Sequence, residues 1–448
     1  MRTHVSTGTL AGWFQQVCTA SAALLVVPVV TRRLGQTDAG VWLSFQSIAL
    51  VATLADFGFG FVTSRQVAYA LGRSSAGDKT IAKDIDHEQV GWQGIANTLA
   101  LATWLNRLSV LAGAVVLGVI GYGLVHSSKF DALGSGSLVA LWSCLAFSIL
   151  VRMLTKPFYA VQEGAGQLPL SRVLNGSQQL ISSGGSTVIA MLGGGLVAMA
   201  FWVCLVAIIE FAVVNYLITS IPAFRQCVAA PVRKQKLIQL FRVSLPLGVV
   251  SVSGYMFSSI QVPLVAAMLG PKDVSSYYVA QRLGQFMTLA VLQFAFPVLP
   301  VFTSLLGAGR NEDALQKFTQ AVRRVCLFAS IGGALFWISQ PFVSRLLFGV
   351  TPLPSSVVGL MAFDFFLLTV AGVWGQFVLA SGVNPFLVPA LIAGGVNVLL
   401  LWLLLPRIGI VAIPLSTLCA GLASTYWVNL SYGMKLRSGL RAEDPSII

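Results

Sequence analysis

The stretch VPVVTRRLGQTDAGVW, Val27–Trp42, is spelled again as VPLVAAMLGPKDVSSY, Val262–Tyr277. Shifting one copy by 235 positions brings Val27, Pro28, Val30, Leu34, Gly35 and Asp38 onto identical residues. In each copy an apolar helix ends on Leu-Gly. Asp38 or Asp273 then stands where an N-cap of the next helix is expected. Six apolar spans precede the second copy, and six is even. The two halves therefore enter the membrane in the same direction, as a parallel repeat about an axis along the membrane normal. Two such halves make two bundles around a central cavity, which a rocking motion exposes to alternate sides.

Composition supports a chain that lives in lipid. Hydrophobic residues make up 56% and charged residues 10%, where a soluble domain carries about 25% charged. A bilayer core about 30 Å thick needs about 20 apolar residues per helix, and this sequence supplies them repeatedly. The short alternating segments of a barrel are absent. The fold class is an all-α integral membrane protein. Twelve transmembrane helices are expected, near 9–31, 41–63, 107–126, 137–154, 171–192, 196–218, 243–267, 274–301, 325–347, 356–380, 386–405 and 410–432. The expected organisation is an N-terminal six-helix lobe over 1–218, a cytosolic linker over 219–242, a second lobe over 243–434 and a tail over 435–448. The first span ends in Arg32-Arg33 rather than a small-residue cleavage site, so it reads as a retained helix.

Charge sets the orientation. With Met1 inside, twenty-one of the 28 Lys and Arg residues fall in inner segments, Arg152 and Lys156 among them, and six in outer ones. That is a positive-inside signal with both termini cytosolic. The net charge of +13 thus needs no nucleic-acid partner, and the basic inner rim favours anionic lipid. Six scattered cysteines form no CxxC pair, so neither a disulfide nor a metal site is expected. No cofactor or phosphate-loop motif is present.

Polar groups in lipid are costly and face inward. Gln15, Gln16 and Thr19 mark span 1. Gln46, Thr53, Asp56 and Gly60 share a face of span 2, and Ser251, Gly254, Ser258 and Gln261 a face of span 7. Gln281, Gln285 and Thr288 do so on span 8, beside Arg282. Such side chains either line a polar cavity or glue helices together. Charges are a sharper signal, since a mid-span Asp or Arg costs about 2.5–3.5 kcal/mol on insertion scales. Arg282 suits a phosphate, held through two parallel hydrogen bonds; its alternative is an ion pair with Asp56 or Asp364. Asp56 reads as a proton or cation site, or as that partner. Asp364 is a second ion-coupling candidate, although it and Glu210 also suit structural roles further from the cavity. Pro28, Pro263, Pro297 and Pro300 predict bends in spans 1, 7 and 8.

RRLGQTDAGVWLSFQSIALVATLADFGFG, Arg32–Gly60, resembles the opening of the Wzx-type polysaccharide flippases of the multidrug/oligosaccharidyl-lipid/polysaccharide (MOP) exporter superfamily. YVAQRLGQF, Tyr278–Phe286, followed by LPVFTSLLGAGR, is similar to the eighth helix of that superfamily, in which an arginine faces a cationic cavity; Arg282 occupies that position. The resemblance implies a MATE/MOP-like fold in a bacterial inner membrane. The substrate it implies is an undecaprenyl-diphosphate-linked oligosaccharide, moved to the periplasmic leaflet by alternating access for exopolysaccharide or O-antigen synthesis. Arg282, Gln46, Gln281, Gln285, Gln261, Gln15 and Gln16 would line the cavity, and Asp56 or Asp364 would couple H⁺ or Na⁺ movement. A polysaccharide polymerase and other assembly proteins are the implied partners. The arginines that lipid II flippases carry within helices 1 and 2, and their two-helix C-terminal extension, are missing here, which argues against lipid II as substrate. The alternatives are a drug or cation antiporter of the same superfamily, and a scaffold of an assembly complex that has lost transport. A membrane enzyme is disfavoured by short outer loops with too few positioned groups for a site.

Overall fold

Gly35 and Gly270, the glycines of the two Leu-Gly pairs, sit at φ of +102° and +110°. A side chain there would strain the backbone, whereas glycine reverses the chain at once. In the computed structural model, helix α1 (Arg2–Arg33) therefore gives way directly to α2 (Gln36–Ala49), which tightens into a 3-10 segment, Leu50–Asp56. In the second copy α8 (Gln261–Met268) gives way to α9 (Pro271–Leu292). This corrects the expected caps. Asp38 and Asp273 lie within the first turn of their helices rather than ahead of it, where the helix dipole favours a carboxylate. Proline starts α9 because its missing N–H costs nothing at that position.

The structure describes residues 2–56, 59–60, 63–64, 67, 87–125, 134–164, 167–219, 248–292, 294–295, 298–307, 310–381 and 385–442. The expected linker over 219–242 lies almost wholly outside them, as do most of 57–86 and the end of the tail. The described elements are helical throughout. Contacts divide the chain into two units, 1–38 with 45–251, and 39–44 with 252–448.

In the first unit α3 (His87–Val125), α4 (Ser135–Gly164), α5 (Leu168–Met191) and α6 (Leu196–Thr219) join α1 and most of α2. α1 packs on α5, α4 on both α3 and α6, and α5 on α6. Two expected spans are longer than their apolar cores. α3 begins twelve residues before the apolar stretch Leu99–Leu124, an extension of about 18 Å at 1.5 Å per residue. α4 continues through Pro157 to Gly164, so Lys156, beyond the expected end at residue 154, shares a helix with Arg152.

The second unit holds α7 (Gly248–Ser258) from Val252 onward, α8, α9, α10 (Val298–Gly307) and α11 (Asn311–Val343). It continues with α12 (Ser355–Ala380), α13 (Leu387–Ile408), α14 (Ala412–Ala420) and α15 (Tyr426–Ala442). The segment Ala39–Ser44 also belongs to it, with Ala39, Val41, Trp42, Leu43 and Ser44 all buried. There Gly40 meets the backbone of Pro271; a Cβ on Gly40 would fall 1.7 Å from that carbonyl oxygen. The two copies of the repeated stretch thus touch. Phe302, Phe318 and Phe377 anchor the core edge-to-face, with ring centroids 4.9 Å apart for the Phe302–Phe377 and Phe318–Phe377 pairs.

Seven described stretches are long and apolar enough to cross a membrane, and α7 with α8 adds a bent pair. The longest, Leu387–Leu440, is divided at Gly409, which stands at φ +62°. Helices α1, α5 and α9 have 32, 24 and 22 residues, long enough to cross; α1 and α9 carry the polar residues of spans 1 and 8. Large apolar side chains such as Phe201, Trp402 and Trp427 are exposed, as a lipid-facing surface requires.

Pro28 leaves α1 continuous, whereas the equivalent Pro263 lies just beyond a 46° bend between α7 and α8. Helix α9 likewise ends at Leu292, and α10 restarts at Val298, which places a break where the Pro297–Pro300 pair predicts one.

Candidate functional site

A broken helix inside a membrane must find donors for the carbonyls its break exposes. Pro263 lacks the N–H that would bond the Ser259 carbonyl. The backbone just upstream is satisfied by side-chain amides. Asn397 Nδ2 on α13 donates to the Met256 and Phe257 carbonyls at 2.9 and 3.0 Å. Gln261 Nε2 donates to the Phe257 carbonyl at 3.0 Å, and Gln281 Nε2 to the Ser258 carbonyl at 2.9 Å. Gln281 also donates to Gln261 Oε1 at 3.1 Å, and the Tyr277 hydroxyl donates to the same oxygen. Gln261, Tyr277, Gln281 and Asn397 are all buried. Gln261 and Gln281, read from sequence as cavity-lining, thus have their amides committed to the bend. Replacing Asn397 with Leu should cost about 1–3 kcal/mol by stranding two carbonyls, visible as a lower thermal midpoint of the detergent-solubilised protein.

One residue after Gln281, Arg282 lies on the exposed face of α9 with Phe286 and Leu289. Its Nη1 donates to Gln285 Oε1 at 3.1 Å, and its guanidinium stands 4.8 Å from the centre of the Tyr278 ring. No ion pair joins it among the described residues. Within the second unit this corrects the alternative that paired it with Asp364, which accepts from Tyr426 instead; Asp56, in the first unit, pairs with Lys156. A planar fork held by an amide and a ring, with no carboxylate to satisfy it, is suited to an external anion.

Asp364, on α12, is buried and accepts the Tyr426 hydroxyl at 2.7 Å. Tyr426 follows a π-helical turn, Gly421–Thr425. Its ring packs on Gly421, where a Cβ would come within 2.4 Å of it. The extra residue of the π turn shifts the helix face and aims the hydroxyl at the carboxylate.

In the first unit, Asp56 closes the 3-10 segment and pairs with Lys156 Nζ at 3.2 Å. One turn away on α4, Arg152 Nε stands 3.9 Å from Glu210 Oε2, and Tyr159 donates to Glu210 Oε1 at 2.8 Å. Neither Arg152 Nε nor Glu210 Oε2 has a hydrogen-bond partner among the described residues. Further along, Glu163 approaches Arg172 at 3.8 Å, and Arg172 Nη1 donates to Gln15 Oε1 at 3.0 Å. Gln46 is half-buried, and the side chain of Gln16 lies outside the described residues.

Sequence reasoning missed Asn397, Tyr277 and Tyr426, and the ion pairs of Arg152 and Lys156. Asn397 carried a signal: a lone amide inside GGVNVLLLWLLL is as costly in lipid as the glutamines of spans 7 and 8.

The comparisons with known proteins agree with this architecture. No curated protein matches the sequence. Among solved structures, the fold is similar to an inward-facing multidrug resistance MATE family transporter of the MOP superfamily, with a TM-score of 0.63 at 16% identity over 97% of this chain and 96% of that one. It is similar to the lipid II flippase MurJ in an inward closed conformation, with a TM-score of 0.65 at 12% identity over 97% and 90%. It also resembles a MOP superfamily transporter from Pyrococcus furiosus, described as having a binding pocket of reversed polarity, with a TM-score of 0.57 at 15% identity over 98% and 96%. These likenesses establish a MOP-exporter fold. The polysaccharide biosynthesis protein family matches residues 7–306, and with two-thirds of its length inside that match, the chain belongs to this family of multi-pass membrane proteins.

Proposed function

We propose that the protein is a flippase. It carries undecaprenyl-diphosphate-linked oligosaccharide repeat units from the cytosolic to the periplasmic leaflet by alternating access, in a bacterial inner membrane and with both termini cytosolic. The observation that carries this reading is Arg282, a spanning-helix cation with no carboxylate partner among the described residues in a chain of a polysaccharide biosynthesis family. Sugars and a diphosphate do not cross hydrocarbon unaided. A guanidinium that binds phosphate oxygens through two parallel hydrogen bonds shelters the headgroup while the polyprenyl tail stays in lipid.

In this reading Gln285 and Tyr278 orient the guanidinium, and Gln15 and Gln46 face the sugars. Gln261 and Gln281 act from behind, by holding the bend that precedes α9. Asp364 is the ion-coupling carboxylate of the second unit. A polymerase and other assembly proteins take up the delivered unit.

Asp364 also favours a second reading, a cation-coupled antiporter of small molecules. Proteoliposomes separate the two. A labelled lipid-linked oligosaccharide should cross between leaflets in the presence of the protein, at a rate that an imposed pH or Na⁺ gradient changes. Export of cationic drugs with no lipid transfer overturns the flippase.

A further inference from the structure

Among the described residues, three tryptophans reach across to the neighbouring helix of their hairpin and donate to its backbone. Trp142 Nε1 on α4 donates to the Leu117 carbonyl of α3 at 3.2 Å. Trp202 Nε1 on α6 donates to the Ile181 carbonyl of α5 at 3.1 Å. Trp337 Nε1 on α11 donates to the Ser355 carbonyl of α12 at 3.1 Å and lies equally close to the Ser355 hydroxyl. In every case the residue four positions further along the accepting helix is glycine: Gly121, Gly185 and Gly359.

The spacing has a physical cause. A helical carbonyl accepts from the N–H four residues on, and its oxygen keeps a second lone pair. The side chain of that fourth residue stands beside the same oxygen, so glycine there uncovers it to a donor from outside. A Cβ on Gly121 would fall 2.1 Å from the Trp142 nitrogen, and one on Gly185 would fall 2.0 Å from the Trp202 nitrogen. At Gly359 the indole nitrogen stands further off, 3.5 Å from the place of a Cβ. Packing a ring on glycine is not enough to make the bond. Trp374 packs on Gly433, but there a Cβ would meet the ring carbon Cε3 at 2.2 Å rather than the nitrogen.

Each tie lies six or seven residues from the helix end that leads into the hairpin connection, at Ser135, Leu196 and Val343. That is about 9–10 Å at 1.5 Å per residue. A connection alone is a pivot; a second attachment that far along fixes the angle between two helices. With six spans in each half, all three connections fall on one side of the membrane, the outer side when Met1 is inside. The α8–α9 hairpin differs. It lies between the 46° bend and the break after Leu292, it carries Arg282, and it contains no tryptophan.

We propose that the three indole ties are a conformational device. They lock α3–α4, α5–α6 and α11–α12 as stiff hairpins near the outer leaflet, so helices change their angles between these hairpins and not within them. In a transport cycle the tied hairpins move as rigid arms. That last step rests on the flippase reading; the ties do not.

Trp402 is the internal standard. It stands six residues before the end of α13, as Trp337 does before the end of α11, and the two are 61% and 50% exposed. Of the two, Trp337 alone carries a tie among the described residues. Indole N–H exchange into deuterated solvent reads the difference, by NMR of the full-length protein in detergent with isotopically labelled tryptophan, assigned by single tryptophan-to-phenylalanine substitutions. Exchange should be about threefold to tenfold slower at Trp337 than at Trp402. Gly185→Ala should bring Trp202 to the rate of Trp402, whereas Gly359→Ala should leave Trp337 as it is. Gly121→Ala, read at Trp142, serves if Gly185→Ala does not fold. Equal exchange at Trp337 and Trp402 overturns the proposal, as does a folded Gly185→Ala protein in which Trp202 stays protected.

Trp337→Phe keeps an aromatic ring and loses the donor. At equal inserted protein it should transfer lipid-linked oligosaccharide between leaflets about threefold to tenfold more slowly than wild type. Equal transfer overturns the role in movement. No transfer by the wild type, beside the expected exchange pattern, removes the flippase reading and leaves the stiff hairpins.

Discussion

Arg282→Gln should abolish leaflet transfer of lipid-linked oligosaccharide while the protein inserts and folds as the wild type does. The side chain is exposed and holds only Gln285 and Tyr278. Its removal strands no buried charge, and exposed substitutions of this kind stay within about 0.5 kcal/mol. Its loss to an anionic substrate is much larger. Each charge-assisted hydrogen bond contributes about 1.5–3 kcal/mol, so losing a two-pronged contact lowers transfer by on the order of a hundredfold or more. Arg282→Lys keeps the charge but not the planar fork and should fall between the two. Initial rates normalised to inserted protein, with thermal midpoints alongside, provide the measurement. Unimpaired transfer by Arg282→Gln would remove the central support of the proposed function, and a scaffold without transport would be indifferent to all three side chains.

Gly40→Val should be the most damaging glycine substitution in the repeated stretch. A Cβ at Gly40 would lie 1.7 Å from the Pro271 oxygen, 2.4 Å from its carbonyl carbon and 3.0 Å from its Cα. These are backbone atoms at the start of a helix, so no side-chain rotation relieves the overlap, and the segments must separate. Overpacking of this kind costs about 1–3 kcal/mol, occasionally more, and valine adds two methyl groups to the clash. Gly12→Ala is the internal control: a Cβ there would meet nothing within 4 Å, and alanine is up to about 1 kcal/mol better than glycine inside a helix. A fluorescence-detected thermal melt should show Gly40→Val well below wild type and Gly12→Ala at or slightly above it. Equal midpoints for the two variants would mean that Gly40 and Pro271 are not packed in the folded protein.

Helix class and the Leu-Gly reversals were legible in the sequence because lipid imposes a coarse rule on long apolar runs, and because glycine is the residue that tolerates a positive φ. The fate of the polar residues was less legible. Gln261 and Gln281 sit at the helical spacing of a cavity stripe, yet they face a helix break whose carbonyls need donors. Spacing identifies a shared face; it does not say whether that face meets a ligand or a neighbouring backbone. The span expected to end near Leu154 belongs to a longer helix, α4, that runs on to Gly164, and along it Arg152 and Lys156 enter an ion-pair cluster. Their partners Asp56 and Glu210 are about 100 and 58 residues away in sequence, beyond the reach of any local pattern.

The placement of Ala39–Ser44 with the second unit bears on how the chain matures as it is made. These residues leave the ribosome early, while Pro271, against which Gly40 packs, follows half a chain later. At about 5–20 residues per second the delay is on the order of ten to fifty seconds. Throughout it Val41, Trp42 and Leu43, all buried in the finished protein, have only lipid or the insertion machinery for company. The first helical hairpin therefore reaches its native surroundings only after translation is well advanced, and the N-terminal half produced alone would present this turn without its cover.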